Sequence, residues 1–193
     1  MATGRRAERI EWVLRRRQPD LTIVAEDIHD PHNVSAMLRS CEASGVMKVN
    51  FLCMEEKAPR IGKKSSASAG KWVERRLFTD PEECYSTLRR EGFKIYATRL
   101  DGNAIPLYDL DLTQPCAFLF GNEHRGVTDV SARYADANVL IPMMGIVQSL
   151  NVSVACAVTL FEAMRQRRAA GMYDSARFSE EELRRLIEEW KRK

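Results

Sequence analysis

Three short stretches place amide, hydroxyl and carboxylate side chains beside glycines where an apolar run changes character. In "IPMMGIVQSLNVSVACAV", residues 141–158, Pro142, Gly145, Gln148, Ser149 and Asn151 separate a strand-like run from a helix-like one. In "LFGNEHRGV", residues 119–127, Gly121 and Gly126 flank the polar residues Asn122, Glu123, His124 and Arg125. In "HNVSAMLRSCEASG", residues 32–45, Asn33 opens an Asn-Val-Ser triplet that recurs at Asn151. The simplest reading of both asparagines is helix capping, in which the side-chain oxygen accepts from an N–H that the first turn leaves unpaired. A functional reading competes with it, because turns after strands gather at the carboxyl edge of an α/β sheet, where ligands bind. Paired glycines around a polar tetrad then imply a backbone that approaches a ligand closely.

Other chemistries lack their residues. No G-x-G-x-x-G follows the first strand-like run and no G-x-x-x-x-G-K-[ST] occurs, so a dinucleotide fold and a P-loop are unsupported. "GIVQSL" lacks the G-x-S-x-G spacing of a nucleophile elbow. His29 and His32 stand three apart across Pro31 with no third ligand at useful spacing, so no metal is expected. Cysteines at 41, 53, 84, 116 and 156 sit in apolar segments without a C-x-x-C pair and read as buried thiols of a reducing cytoplasm.

The elements that must position the three turns follow from periodicity. "RRAERIEWVLRRR" puts Ile10, Val13 and Leu14 on one stripe of a helix, and "DPHNVSAMLRSCEASG" is a helix stopped by Gly45. Strands are expected at "LTIVAED", "KVNFLCM", "WVERRLF", "FKIYATRL", "PCAFLFG" and "ANVLIPM". Helices are expected at "DPEECYSTLRREG", near "DVSARYA", from Ser149 to about Ala169, and at "SEEELRRLIEEWKRK". Strands alternating with helices imply an α/β fold, a mostly parallel sheet with helices on both faces. No linker divides the 193 residues, whose 45% hydrophobic and 30% charged content is that of one globular domain with a sizeable core.

Charge is uneven. The 30 basic and 27 acidic residues give a net +3, yet residues 1–20 and 165–193 are each +3 and the middle is −3. "EEKAPRIGKKSSASAGKW" adds a basic loop with Arg60, Lys63, Lys64 and Lys71. Basic ends suit a polyanion, since cations displace counterions from phosphates; the plainer reading is solvated helix faces. Arg5, Arg6, Glu8 and Arg9 precede any apolar stretch, so no secretory signal is expected. The apolar run near 150–164 is broken by Asn151, Ser153 and Thr159 and too short for a bilayer, so no membrane is expected.

Taken together, the three stretches resemble the ordered signature motifs of the SPOUT class of RNA 2′-O-methyltransferases. "RRRQPDLTIVAEDIHDPHN" and "MRQRRAAGMYD" are similar to its tRNA (guanosine-18) 2′-O-methyltransferases in particular. The resemblance implies an S-adenosylmethionine-dependent methyl transfer to a ribose in tRNA. It also implies a C-terminal deep trefoil knot, which general topology rules treat as near-absent, and a homodimer packed through it. The boundaries it implies are a basic N-terminal helix at 1–20, the methyltransferase domain at 21–170 and an amphipathic helix at 171–193. Carried over residue by residue, Arg39, Asn33, Glu123, Ser149 and Asn151 become the catalytic set. The cofactor set becomes Thr98, Leu100, Gly121, Asn122, Glu123, Gly126, Ile141, Met143, Ser149 and Leu150. Arg5, Arg6, Arg9, Arg15, Arg16, Arg60, Lys63, Lys64 and Lys71 would meet tRNA phosphates. The family's assignment of Arg39 as general base conflicts with a guanidinium that stays protonated, so a phosphate-binding role is the alternative. Rival readings are a ribosomal-RNA methyltransferase of the same class and a non-catalytic RNA-binding module.

Overall fold

The computed structural model describes residues 4–55 and 69–193. Its strands are β1 (Leu21–Glu26), β2 (Lys48–Leu52), β3 (Glu74–Phe78), β4 (Lys94–Thr98), β5 (Ile105–Pro106), β6 (Cys116–Phe120) and β7 (Ala137–Leu140). They form one sheet in the order β3-β2-β1-β6-β4-β7-β5, with every pairing parallel. The helices are α1 (Gly4–Leu14), α2 (Pro31–Ser44), α3 (Ala69–Trp72), α4 (Pro81–Arg90), α5 (Asp129–Ala132), α6 (Val152–Ala169) and α7 (Glu180–Lys191).

Side-chain alternation along the central strands explains the layering. Leu21, Ile23 and Ala25 of β1 and Cys116, Phe118 and Phe120 of β6 join a core with α2 and α6 residues such as Leu38, Cys156 and Leu160. The intervening Val24, Ala117 and Leu119 face a second core with Cys84, Tyr85 and Leu88 of α4. Both central strands are buried on both faces, which is why they read as continuous apolar runs. Ile10 and Leu14 of α1 pack on Leu183, Leu186 and Trp190 of α7 in a third, smaller cluster. All five cysteines are buried, and burial pushes the Cys84 and Cys116 thiols up to about 12, far from a reactive thiolate. Among the described residues no helix is long and apolar enough to cross a membrane.

Several expected boundaries move. "WVERRLF" becomes a strand only from Glu74, because α3 occupies the residues before it. β7 stops at Leu140 and α6 begins at Val152, so 141–151 is a longer irregular segment than the strand and helix patterns suggest. β5 escapes periodicity, being two residues long, and Pro106 confines it to the sheet edge.

Two arginines counted in the basic ends are core residues. Arg167 is fully buried; its guanidinium donates to the carbonyls of Leu112, Asp20 and Gln114 and pairs with the Asp20 carboxylate at 2.5 Å. Arg17, also fully buried, donates to the carbonyls of Glu42 and Val46 and pairs with the Glu42 carboxylate. Arg17 ties the chain after α1 to the end of α2, Arg167 ties α6 to the turns that lead into β1 and β6, and neither is available to a polyanion.

Candidate active site

A parallel sheet brings the carboxyl ends of all its strands to one edge, and there the turns after β4, β6 and β7 enclose a cleft of about 550 Å³. All ten residues expected at a cofactor site line it: Thr98, Leu100, Gly121, Asn122, Glu123, Gly126, Ile141, Met143, Ser149 and Leu150. Asn151 lines it as well, beside Phe120, Val139 and Thr159. The Thr98 hydroxyl donates to the Leu119 carbonyl at 2.8 Å, which fixes the end of β4 against β6.

A side-chain relay joins α2, which follows β1, to the turns after β6 and β7. The Asn33 amide donates to a Glu123 carboxylate oxygen at 2.9 Å, and its carbonyl oxygen accepts from the Asn151 amide at 3.1 Å. The Asn151 oxygen accepts from the Ser153 backbone N–H at 2.9 Å and so caps α6. The capping expectation therefore holds for Asn151 and fails for Asn33. Asp30 caps α2, accepting from the His32 N–H at 2.8 Å, and Pro31 takes the first helical position, where its missing N–H costs nothing. Asn33 lies inside the first turn, 8% exposed, and both ends of its amide are committed to the other two turns.

Glu123 receives two further hydrogen bonds, from the backbone N–H groups of His29 and Asp30. Burial is the largest single influence and would raise its carboxyl. The bonds from Asn33 and from the amides of Glu123, His29 and Asp30 together outweigh it and hold the group below the usual carboxylate range. An ionised carboxylate at the N-terminal end of α2 is also favoured by the helix dipole. Glu123 thereby anchors its turn to the start of α2.

The paired glycines have a different cause from the one expected. A Cβ on Gly121 would lie 2.1 Å from the carbonyl carbon of Gly126 and the nitrogen of Val127. The chain's own return stroke, and not a ligand, therefore excludes a side chain there. Gly126 takes φ +69°, and Asn122 and Gly126 form a bridge that closes the turn. Asn122 staples the loop from within: its oxygen accepts from the N–H groups of His124 and Arg125, and its amide donates to the Asp27 carbonyl at 2.7 Å.

Asp27 escaped sequence reasoning. It ends β1 at φ +46°, and its buried carboxylate accepts from the Met54 and Glu55 N–H groups and pairs with Arg125 at 3.3 Å. Arg125 also pairs with Glu55. The acid in "AED" was legible only as a turn signal, although a residue tolerant of the left-handed region at a strand end was the available clue.

Other expected site residues stand apart. Ser149 is exposed and makes no hydrogen bond with a described residue. Arg39 does not line the cleft: it is exposed on α2, about 9 Å further along the axis than Asn33 at 1.5 Å per residue. It forms no ion pair with a described residue, so the surface salt bridge that would explain it away is absent there. Arg5, Arg6, Arg9 and Lys71 are exposed and Arg16 partly so, while Arg15 is held by Glu11 and Glu180. Arg60, Lys63 and Lys64 lie outside the described residues.

A parallel α/β sheet with a ligand-sized cleft at its carboxyl edge, walled by the turns after three strands, two of which are tied to α2, defines a cofactor- or substrate-binding protein. The chain belongs to the SpoU rRNA methylase family, whose sequence profile matches residues 20–161. It is 46% identical over 191 residues, 99% of this chain and 98% of the relative, to the tRNA (guanosine(18)-2′-O)-methyltransferase of Thermus thermophilus. It superposes on the crystal structure of the Aquifex aeolicus TrmH/SpoU tRNA modifying enzyme with a TM-score of 0.90 at 36% identity, covering 96% of this chain and 94% of that one. The SpoU methyltransferase AviRb from Streptomyces viridochromogenes, solved with the cofactor AdoMet, gives a TM-score of 0.69 at 25% identity, covering 79% of this chain and 60% of that one.

Proposed function

We propose that this protein transfers a methyl group from S-adenosylmethionine to the ribose 2′-hydroxyl of guanosine 18 in tRNA. The observation that carries the reading is the end-to-end match to the Thermus relative, flanking helices included. A ribosomal-RNA substrate is the weaker alternative, because the likeness to the tRNA enzyme extends beyond the shared family domain at 20–161 and through α1 and α7.

The cleft suits the cofactor. Its volume is that of a small-molecule site, and Leu100, Ile141, Met143 and Leu150 give it an apolar wall. Thr159 offers a buried hydroxyl oxygen with no partner among the described residues. When bound, S-adenosylmethionine supplies an electrophilic methyl on a cationic sulfonium. An apolar wall favours the loss of that charge as the methyl departs. Asn33, Glu123 and Asn151 hold the turns after β6 and β7 in fixed register against α2, so the chain contributes chiefly orientation of the reactants. Ser149, exposed at the cleft, is left to meet the ribose. To Arg39, whose charge no described residue pairs, this reading assigns the phosphate beside the target ribose, with loss of the 2′-hydroxyl proton assisted by that phosphate.

Met144 (95% exposed), Ile146, Val147, Val154 and Phe161 are large apolar side chains left exposed among the described residues at 144–161. This supports a homodimer packed through α6 and the preceding segment. Insertion of β7 between β4 and β5 supports the knotted passage of the same segment. Buried thiols such as Cys41, Cys84, Cys116 and Cys156 support a cytoplasmic setting.

Incubation with labelled S-adenosylmethionine and an unmodified tRNA transcript tests the reading. Label on ribose supports it; label on a base, or on ribosomal RNA only, overturns it.

A further inference from the structure

We infer that the outer face of α1 is a pre-assembled phosphate-binding stripe, in which the Trp12 ring holds the guanidinium groups of Arg9 and Arg16 in place for the RNA backbone. The inference rests on the reading of RNA as substrate. Arg5, Arg9, Trp12 and Arg16 follow one another at steps of four, three and four residues, the spacing that keeps side chains on one helix face. Arg16 follows the last helical residue, but its N–H still bonds to the Val13 carbonyl and its guanidinium to the Trp12 carbonyl, so the stripe continues. The opposite face carries Ile10 and Leu14, buried against α7.

Trp12 is the large aromatic residue that α1 leaves exposed at its surface, at 47%. Charge lies over its ring: the guanidinium carbons of Arg9 and Arg16 are 4.4 and 4.1 Å from the ring centroid. Each is held by attraction to the ring's π-face.

The arginines around it divide by partner. Arg15 is paired with Glu11 at 2.9 Å and with Glu180 at 3.5 Å, and Arg17 is buried with Glu42. Arg9 and Arg16 form no ion pair with a described residue. A carboxylate orients a guanidinium and neutralises it, whereas an aromatic ring orients it and leaves the charge intact. Two oriented, unneutralised guanidiniums, both within 4.4 Å of one ring centre, are complementary to phosphate oxygens. The ring's guanidinium neighbours leave phosphate, and not a stacked base, as the ligand this arrangement fits.

The test measures tRNA binding by the full-length protein across a salt series, together with KM and kcat. Arg9→Gln with Arg16→Gln is expected to lower the slope of log affinity against log salt by about 1.4–1.8, at roughly 0.7–0.9 for each phosphate no longer neutralised. Trp12→Leu is expected to keep that slope while weakening binding about 5- to 20-fold through lost pre-organisation, seen in KM for tRNA and not in kcat. Cofactor affinity, measured in parallel, reports that the variants are folded. An unchanged slope in the double variant overturns the inference. So does a Trp12→Leu loss of equal size with Arg9 and Arg16 already replaced, since the ring would then meet RNA directly. A wild-type protein that methylates no tRNA refutes the proposed function instead, and so the two failures are distinguishable.

Discussion

Replacing Asn33 by Asp preserves the shape of the side chain and inverts its bond to Glu123. The amide that now donates to Glu123 at 2.9 Å would become an oxygen facing a carboxylate oxygen. Two unit charges at that distance repel by about 6 kcal/mol at an effective dielectric near 20. The pair can escape by taking up a proton, which at pH 7 costs about 4 kcal/mol for an acid of ordinary pKa near 4. The lower figure sets the ceiling, and the hydrogen bond of a shared proton returns about 1 kcal/mol of it. Asn33→Asp is therefore expected to destabilise the fold by about 3 kcal/mol at pH 7, easing by roughly 1.4 kcal/mol per unit toward pH 5. The sign follows from a folded pKa raised above its unfolded value, whose penalty grows with pH. Glu123 in the native protein runs the other way: its folded pKa is depressed, so its contribution is present above the unfolded pKa and lost as pH falls through the folded value. Urea melts of both proteins from pH 5 to 8, with methylation rates alongside, make the comparison. A difference under about 1 kcal/mol at pH 7, or one that does not vary with pH, would refute the relay as drawn.

Further outcomes follow from the same geometry. Gly121→Ala must push apart backbone only 2.1 Å from the new Cβ and is expected to cost more than about 3 kcal/mol and to abolish cofactor binding. Gly126→Ala meets no neighbour among the described residues and is expected to cost only the ~1–2 kcal/mol of a left-handed alanine; thermal melts and calorimetric titration separate the two. Arg167→Met removes one of the two arginines paired with Asp20 and the side-chain donor to the Leu112 and Gln114 carbonyls, an expected loss of about 3–5 kcal/mol in denaturant melts. Glu26 is buried, with one carboxylate oxygen unpartnered among the described residues, and burial raises its pKa above the usual glutamate range. Its stability contribution is present in acid and lost as pH rises through that raised value. Glu26→Gln should therefore be more stable than the native protein at pH 8 and match it near pH 4 in thermal melts.

Much of the architecture is legible in the sequence. Continuous apolar runs mark β1 and β6 because both faces of a central parallel strand are buried, and strand ends locate the turns that meet at the cleft. What periodicity misses are facts about neighbours. The Asp-Pro pair at 30–31 already fixes the start of α2, so an oxygen at Asn33 is too far into the helix to cap it. A glycine pair shows that side chains are excluded at Gly121 without saying that the occupant is the chain itself. Charge counts cannot separate Arg17 and Arg167, fixed in the interior by carbonyl groups, from Arg9 and Arg16 on the surface. Nor does any local pattern reveal that Asp27 turns inward to hold three segments.

The most direct measurement is nucleoside mass spectrometry on an unmodified tRNA transcript treated with the protein and S-adenosylmethionine, with Arg39→Ala as the paired control. The account predicts 2′-O-methylguanosine at position 18 with the native chain and its loss with the variant. A methyl group on a base, on a ribose elsewhere in the tRNA, or undiminished in Arg39→Ala would contradict it.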